Sequence, residues 1–343
     1  MPIHNLTKYT TLALFITTFM GTTLNAADAL DENPHPALSI PPQQRLYVVN
    51  TNSDNISIIN TATNEVMPLP IEVDYYPASA VFNHDEARLY VLNYKANNIS
   101  VIDTETNKVV CNPIQVGGYP ISAVLNYDVK GLYVMNADKE DISIINTATN
   151  EVLNENIPLP SGRRPISAVL DQDRKRLYVM HLSNTNNVSI INTETNQPVR
   201  HSPLCVGTQP RYAVLNHSGT HLYVVDYDRD NIYSIDIEAN YAIGDPIQVG
   251  NKPRYAVLNH DDRLLYVVNS GSNNISIIDT VTNAVVGNIQ VGDCPFSAVF
   301  NNDGSLLYVV NSGSNDISII DTVTNAVVGN IQVGDFPTFA VWG

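Results

Sequence analysis

Pro210-Arg211-Tyr212-Ala213-Val214 and Pro253-Arg254-Tyr255-Ala256-Val257 are one phrase written twice, 43 residues apart. Each sets a guanidinium beside a phenol. Lys252 precedes the second phrase, and Arg163-Arg164 precede Pro165 in a diverged copy. A guanidinium donates in a planar fork that matches carboxylate, sulfate or phosphate oxygens, and such charge-assisted bonds are the strong ones. Arg163, Arg164, Arg211, Lys252 and Arg254, interleaved with Tyr119, Tyr212 and Tyr255, therefore form the candidate ligand-binding set. The chemistry they offer is capture of a small anionic or zwitterionic ligand, a glycan or a protein partner. The competing reading is a scatter of solvated loop charges.

Signatures of bond-making chemistry are missing. The sequence has no G-x-S-x-G, no Cys-x-x-Cys-His, no His-Glu-x-x-His and no glycine-rich phosphate loop. No catalytic residue, metal ligand or cofactor is assigned. His84, His217 and His260 share one repeat position after Asn, which marks them as turn residues, while His181 and His201 stand outside that pattern. Asp226-Tyr227-Asp228-Arg229-Asp230-Asn231 opens like a calcium loop, but Asn231 replaces the glycine and Ile237 the closing glutamate. A solvated turn is expected there.

The elements that must position the arginines repeat along the chain. Leu264–Asp293 returns at Leu306–Asp335 with Asn274 replaced by Asp316. The Tyr of an L-Y-V element falls at 47, 90, 133, 178, 223, 266 and 308, and an anchor Pro at 77, 120, 165, 210, 253, 295 and 337. A period of 42 to 45 residues, seven times over, matches four-stranded propeller blades. Each unit reads as four short strands, as in Ala256-Val257-Leu258, Leu265–Val268, Ile275–Ile278 and Val285–Val291, separated by Asn, Asp, Gly and Ser turns. The middle strands are nearly continuous apolar runs, which implies cover on both faces. Pro70, Pro113, Pro158, Pro203 and Pro246, each seven residues before an anchor Pro and at the start of the fourth strand, place that strand at an edge, where a residue without an N–H is tolerated. The expected fold is all-β, a seven-bladed propeller of four-stranded antiparallel blades over residues 45–343.

The pattern L-Y-V-x-N, I-S-I-I-D-T-x-T-N-x-V, I-Q-V-G-x-x-P resembles the YVTN family of β-propeller repeats, with Tyr266-Val267-Val268-Asn269 carrying Val where that name has Thr. The resemblance implies an exported bacterial or archaeal surface protein, with a fold similar to nitrous oxide reductase and lactonase-type propellers. Haem-bearing relatives of the fold use a mouth histidine as an iron ligand, and His181 is the residue on the corresponding side. The resemblance says little about chemistry.

The chain starts blade one at Leu46, a second strand, and ends with Thr338–Trp342, a first strand. The C-terminal strand is expected to pair beside Tyr47 and close the ring. Loops between blades line one mouth. Those leading into blades four, five and six carry the basic set; those leading into seven, one and two carry Asp293, Asp335, Glu72 and Asp74. Residues 1–26 read as a signal peptide and 27–44 as a flexible lead-in. The protein is thus expected to be exported, whether periplasmic, surface-bound or secreted, and monomeric, with no membrane span after cleavage. A net charge of −16 disfavours nucleic acid. Cys111, Cys205 and Cys294 fall on separate blades and are expected to be free thiols. A binding protein is the first reading; a lactonase- or lyase-type enzyme and a surface-layer or host-contact protein are the alternatives.

Overall fold

The computed structural model describes residues 44–343 apart from 127–130, 154–155, 160–161, 183–186 and 200–203. The expected signal peptide and, Gln44 aside, the lead-in lie outside the described residues, as do His201 and Pro203. Seven antiparallel sheets follow one another along the chain, and no α-helix occurs among the described residues. Blade six shows the plan: Pro253–Leu258 is innermost, followed outward by Leu264–Asn269, Asn274–Asp279 and Ala284–Gln290.

The apolar runs of the middle strands are buried from both sides because neighbouring blades share their cores. One cluster joins Tyr47, Ile56 and Ile58 of blade one to Phe82, Leu89 and Ile102 of blade two. Another joins Tyr266, Ile275 and Ile277 of blade six to Phe300, Leu307 and Ile320 of blade seven. Seven such slabs, each between two blades, take the place of a single central core.

The ring closes as expected from the two ends of the sequence. Pro337–Trp342 pairs antiparallel with Arg45–Asn50, placing Leu46 opposite Trp342, Tyr47 opposite Val341, Val48 opposite Ala340 and Val49 opposite Phe339. Trp342 is partly buried there, its ring 5.5 Å from Tyr308 of blade seven.

The rim strands differ from the sequence expectation in detail. In blades six and seven the fourth strand is continuous, as Ala284–Gln290 and Ala326–Gln332. In the other five it is broken into two short segments, such as Glu65–Val66 and Ile71–Glu72. The continuous strands pair Ser276 with Asn288 and Ser318 with Asn330. Pro70, Pro113 and Pro246 occupy the equivalent position in blades one, two and five, and they have no N–H to donate. They sit at the break within the fourth strand, not at its start. Pro158 departs from this set: it lies inside Ile157–Pro158 and pairs with Asp141. The loop from there to Pro165 is correspondingly longer, and it carries Arg163 and Arg164.

The repeat letters each do a structural job. The Asn closing L-Y-V-x-N is buried within its own blade: Asn269 Nδ2 donates to Asn274 Oδ1 and Ser276 Oγ, both at 2.9 Å. The Asn of T-x-T-N takes a left-handed backbone, and at Asn107, Asn150, Asn196 and Asn325 its side chain accepts from the Tyr of the preceding blade. Cys111 and Cys294 are free thiols; the side chain of Cys205 lies outside the described residues.

Candidate ligand site at the ring mouth

The inner strands converge on a cavity of about 440 Å3. Its wall is built from the same two repeat positions in every blade, the residues directly after the anchor Pro. In four of the seven blades the first of these is Ala78, Ile121, Ile166 or Thr338, and in blade seven it is Phe296; in blades five and six it is Arg211 and Arg254. The second is Ser79, Ser122, Ser167 and Ser297 in four blades, and Tyr212, Tyr255 and Phe339 in the rest. Tyr76, Tyr94, Phe336 and Thr51 complete the upper wall.

Of the candidate set, the structure brings Arg211, Arg254, Tyr212 and Tyr255 into this cavity. The two tyrosine rings lie against each other, tilted by 30° with centroids 4.1 Å apart, and the Tyr212 hydroxyl donates to that of Tyr255 at 3.2 Å. Burial raises both phenol pKa values, that of Tyr255 well above its usual value. Arg211 and Arg254 both lie over the ring of Tyr227, their Cζ atoms 4.6 and 5.2 Å from its centroid, and Arg254 also lies 4.7 Å over Phe296. Arg254 Nε donates to Ser270 Oγ at 3.1 Å, which fixes the plane of its fork. Arg211 Nε is buried with no partner. Burial, and then the charge of Arg254, lower the pKa of Arg211.

The remaining candidates lie elsewhere. Lys252 is exposed on the lip, its ammonium 5.1 Å from Tyr227. Tyr119 is exposed and stacks on Tyr94 at 4.6 Å, so it extends the aromatic wall outward. Arg164 is exposed beside Tyr94, whose pKa it lowers against the stronger upward push of burial. Arg163 turns into blade four, where Nη1 donates to Ser189 Oγ at 3.3 Å. That serine position receives the repeat Asn in other blades; in blade four His181 stands in place of that Asn. His181 does not line the cavity: it is 1% exposed, and neither ring nitrogen has a hydrogen-bond partner of good geometry. Burial, then the charge of Arg163, push its pKa down to about 4 against a smaller upward pull from the Arg163 main chain.

The calcium-like stretch is committed to the fold. Asp226 is fully buried and accepts from the backbone N–H groups of Thr208 and Gln209 at 2.9 and 3.0 Å. The acidic residues of the opposite arc are likewise engaged at the rim. Asp74 accepts from Asn98, and Asp293 from Asn273. No carboxylate lines the cavity among the described residues.

Tyr94 and Tyr227 were not singled out by sequence reasoning. Both follow the last residue of the L-Y-V-x-N element, where other blades have Thr51, Ala137, Leu182, Ser270 and Ser312. Two aromatics among small or aliphatic residues were the available signal. The lip is also strained. Tyr76, Tyr119, Lys252, Cys294 and Phe336, each the residue before an anchor Pro, have φ between 50° and 62°. That region disfavours side-chain-bearing residues, and a following proline also restricts the residue before it. Side-chain oxygens hold them there: Tyr76 N–H donates to Asp54, Tyr119 to Asn97, Lys252 to Asp230, Cys294 to Asn273 and Phe336 to Asn315.

No family model and no curated protein matches the sequence. Solved structures match the fold. Hydrazine synthase of Kuenenia stuttgartiensis superposes with a TM-score of 0.73 at 19% identity, over 86% of this chain and 99% of that one. A periplasmic gluconolactonase of Pseudomonas aeruginosa gives 0.72 at 16% identity, over 87% and 98%. A protein from Lactobacillus plantarum gives 0.73 at 15% identity, over 87% and 98%. At these identities the likeness establishes the propeller and nothing about its chemistry.

Proposed function

We propose that this chain is an exported, YVTN-type, non-catalytic propeller that holds a small anionic ligand at its mouth. The observation that carries the reading is the Arg211–Arg254 pair: two guanidiniums on the cavity wall with no carboxylate among the described lining residues, Asp228 acting on Arg211 only from outside the cavity. Like charges brought together and partly desolvated are unfavourable in the empty protein. An anion between them turns that cost into binding energy, at about 1.5–3 kcal/mol per charge-assisted bond. Export rests on the apolar stretch within residues 1–26.

The fold shared with the Pseudomonas gluconolactonase supplies the second reading, a lactone-opening enzyme. Hydrolysis needs a base or a metal to activate water, and the cavity wall offers neither a carboxylate nor an imidazole among the described residues. The binding reading is therefore preferred.

The test is native mass spectrometry of protein purified without added ligand, beside a thermal-shift series of small anions on wild type and on Arg211→Ala/Arg254→Ala. Anion-dependent stabilisation in wild type that is lost in the double variant supports the reading. Equal stabilisation in both makes the arginines surface decoration and favours contact through the rim. Turnover of a lactone by wild type would establish the enzymatic reading instead.

A further inference from the structure

The arginine pair says that an anion is wanted; the rest of the wall says which kind. Resting on the reading above, we propose that the mouth selects a monoanion with a flat apolar body, an aromatic carboxylate, over inorganic phosphate or a polyhydroxylated acid.

The arginines are mounted for an in-plane contact. Arg254 has one face against Phe296 and its Nε held by Ser270, so its outer N–H edge is the part left to donate. Arg211 lies over Tyr227, and its buried Nε has no hydrogen-bond partner. Two forks held by aromatic stacking favour a planar carboxylate, which accepts along its edge. Phosphate is tetrahedral and strongly hydrated, and needs donors from several directions. The rest of the wall offers hydroxyls only: those of Thr51, Ser297 and Thr338 are committed within the protein, which leaves, phenols aside, Ser79, Ser122 and Ser167, one to a blade and none of them charged.

Aromatic and aliphatic surface dominates elsewhere in the cavity: Phe336 and Phe339, the tilted Tyr212–Tyr255 pair, Ile121 and Ile166. Tyr255 meets Phe339 edge-on with centroids 6.3 Å apart, so ring faces and edges form part of the cavity wall. A flat ring buries area against such walls and gains the preferred offset or T-shaped geometries. A sugar acid would bring hydroxyls to apolar surface and lose their hydration there. Net charge points the same way. A chain at −16 opposes every additional negative charge that approaches, so a monoanion is favoured over a dianion.

Isothermal titration of the full-length protein with 2-naphthoate, its neutral amide 2-naphthamide, gluconate and inorganic phosphate tests this. The expected result is that 2-naphthoate binds at least tenfold more tightly than each of the other three, with a negative heat-capacity change from apolar burial. Arg211→Met/Arg254→Met should remove the preference for naphthoate over naphthamide while leaving the melting transition intact. Arg211→Lys/Arg254→Lys keeps the charge without the fork and should recover only part of it. Tighter binding of phosphate or gluconate, lost in the methionine variant, overturns the ligand class and leaves the anion site standing. Equal binding of naphthoate and naphthamide, or no binding of any anion, overturns the anion site as well.

Discussion

The hydroxyl of Tyr90 donates to Asn150 Oδ1 at 2.6 Å, across 60 residues of chain and from one blade to the next. The same bond joins Tyr47 to Asn107 at 3.0 Å, Tyr133 to Asn196 at 3.0 Å and Tyr266 to Asn325 at 3.2 Å. In these four pairs the Tyr of L-Y-V and the Asn of T-x-T-N are the halves of one latch between neighbouring repeats, while the hydroxyls of Tyr178 and Tyr308 have no such partner.

Two Tyr→Phe variants should therefore separate. Tyr90→Phe removes bonds to Asn150 and to the Thr147 carbonyl, and should cost about 1–3 kcal/mol in denaturant unfolding. Tyr308 has a buried hydroxyl without a partner, and Tyr308→Phe should be neutral or stabilising. Equal losses in the two would show that the ring, and not the hydroxyl, sets the effect.

Removing residues 337–343 takes away the strand that faces Leu46–Val49. Blade one then loses its innermost strand, and its neighbours face solvent. The truncated protein is expected to lose cooperative unfolding, followed by Trp-free far-UV circular dichroism because Trp342 goes with the strand. A full-length-like melt would contradict the role given to the seam.

His181 should make stability depend on pH. Its pKa is near 6.5 when the chain is unfolded and falls to about 4 in the folded protein. The unfolded chain therefore binds more protons between those values, and stability falls as pH drops from about 6.5 to about 4. Linkage puts the full contribution at about 3 kcal/mol, present above pH 6.5 and lost below 4. His181→Asn restores the residue found in five of the other six blades and should flatten this window in denaturant titrations. An unchanged profile would assign the acid sensitivity to carboxylates.

Arg211→Met should raise the urea midpoint, by about 1 kcal/mol in stability. It removes a partly buried charge that sits beside Arg254 and has an unpartnered Nε. A lower midpoint would mean that Arg211 is held by favourable contacts in the empty protein.

Much of the molecule was legible because its signals repeat. Seven Tyr and seven anchor Pro positions imposed the blade count, and the first and last strand letters implied which two strands meet at the seam. Arg211 and Arg254 stood out because the same position elsewhere is uncharged. Lateral detail was harder to read. Pro158 aligned by spacing with the rim prolines, yet a longer loop shifts it within its strand. Arg163 has the right type and the right loop, but Ser189 draws it into blade four, because His181 has displaced the residue that bonds this serine position elsewhere. Tyr227 lies under both arginines, and its signal was only an aromatic at a repeat position that is small or aliphatic in five blades.

The duplicated stretch has a genetic consequence. Recombination between Leu264–Asp293 and Leu306–Asp335 deletes one 42-residue period and leaves every sequence junction native. Each slab needs a partner on both sides, so the shortened chain has no half-core to leave open; it must shut as a hexagon or fail to fold. The hexagon would keep Arg211 and Arg254 but lose Phe296, the ring on which Arg254 rests. The number of blades, and with it the calibre of the mouth, is one crossover away from change.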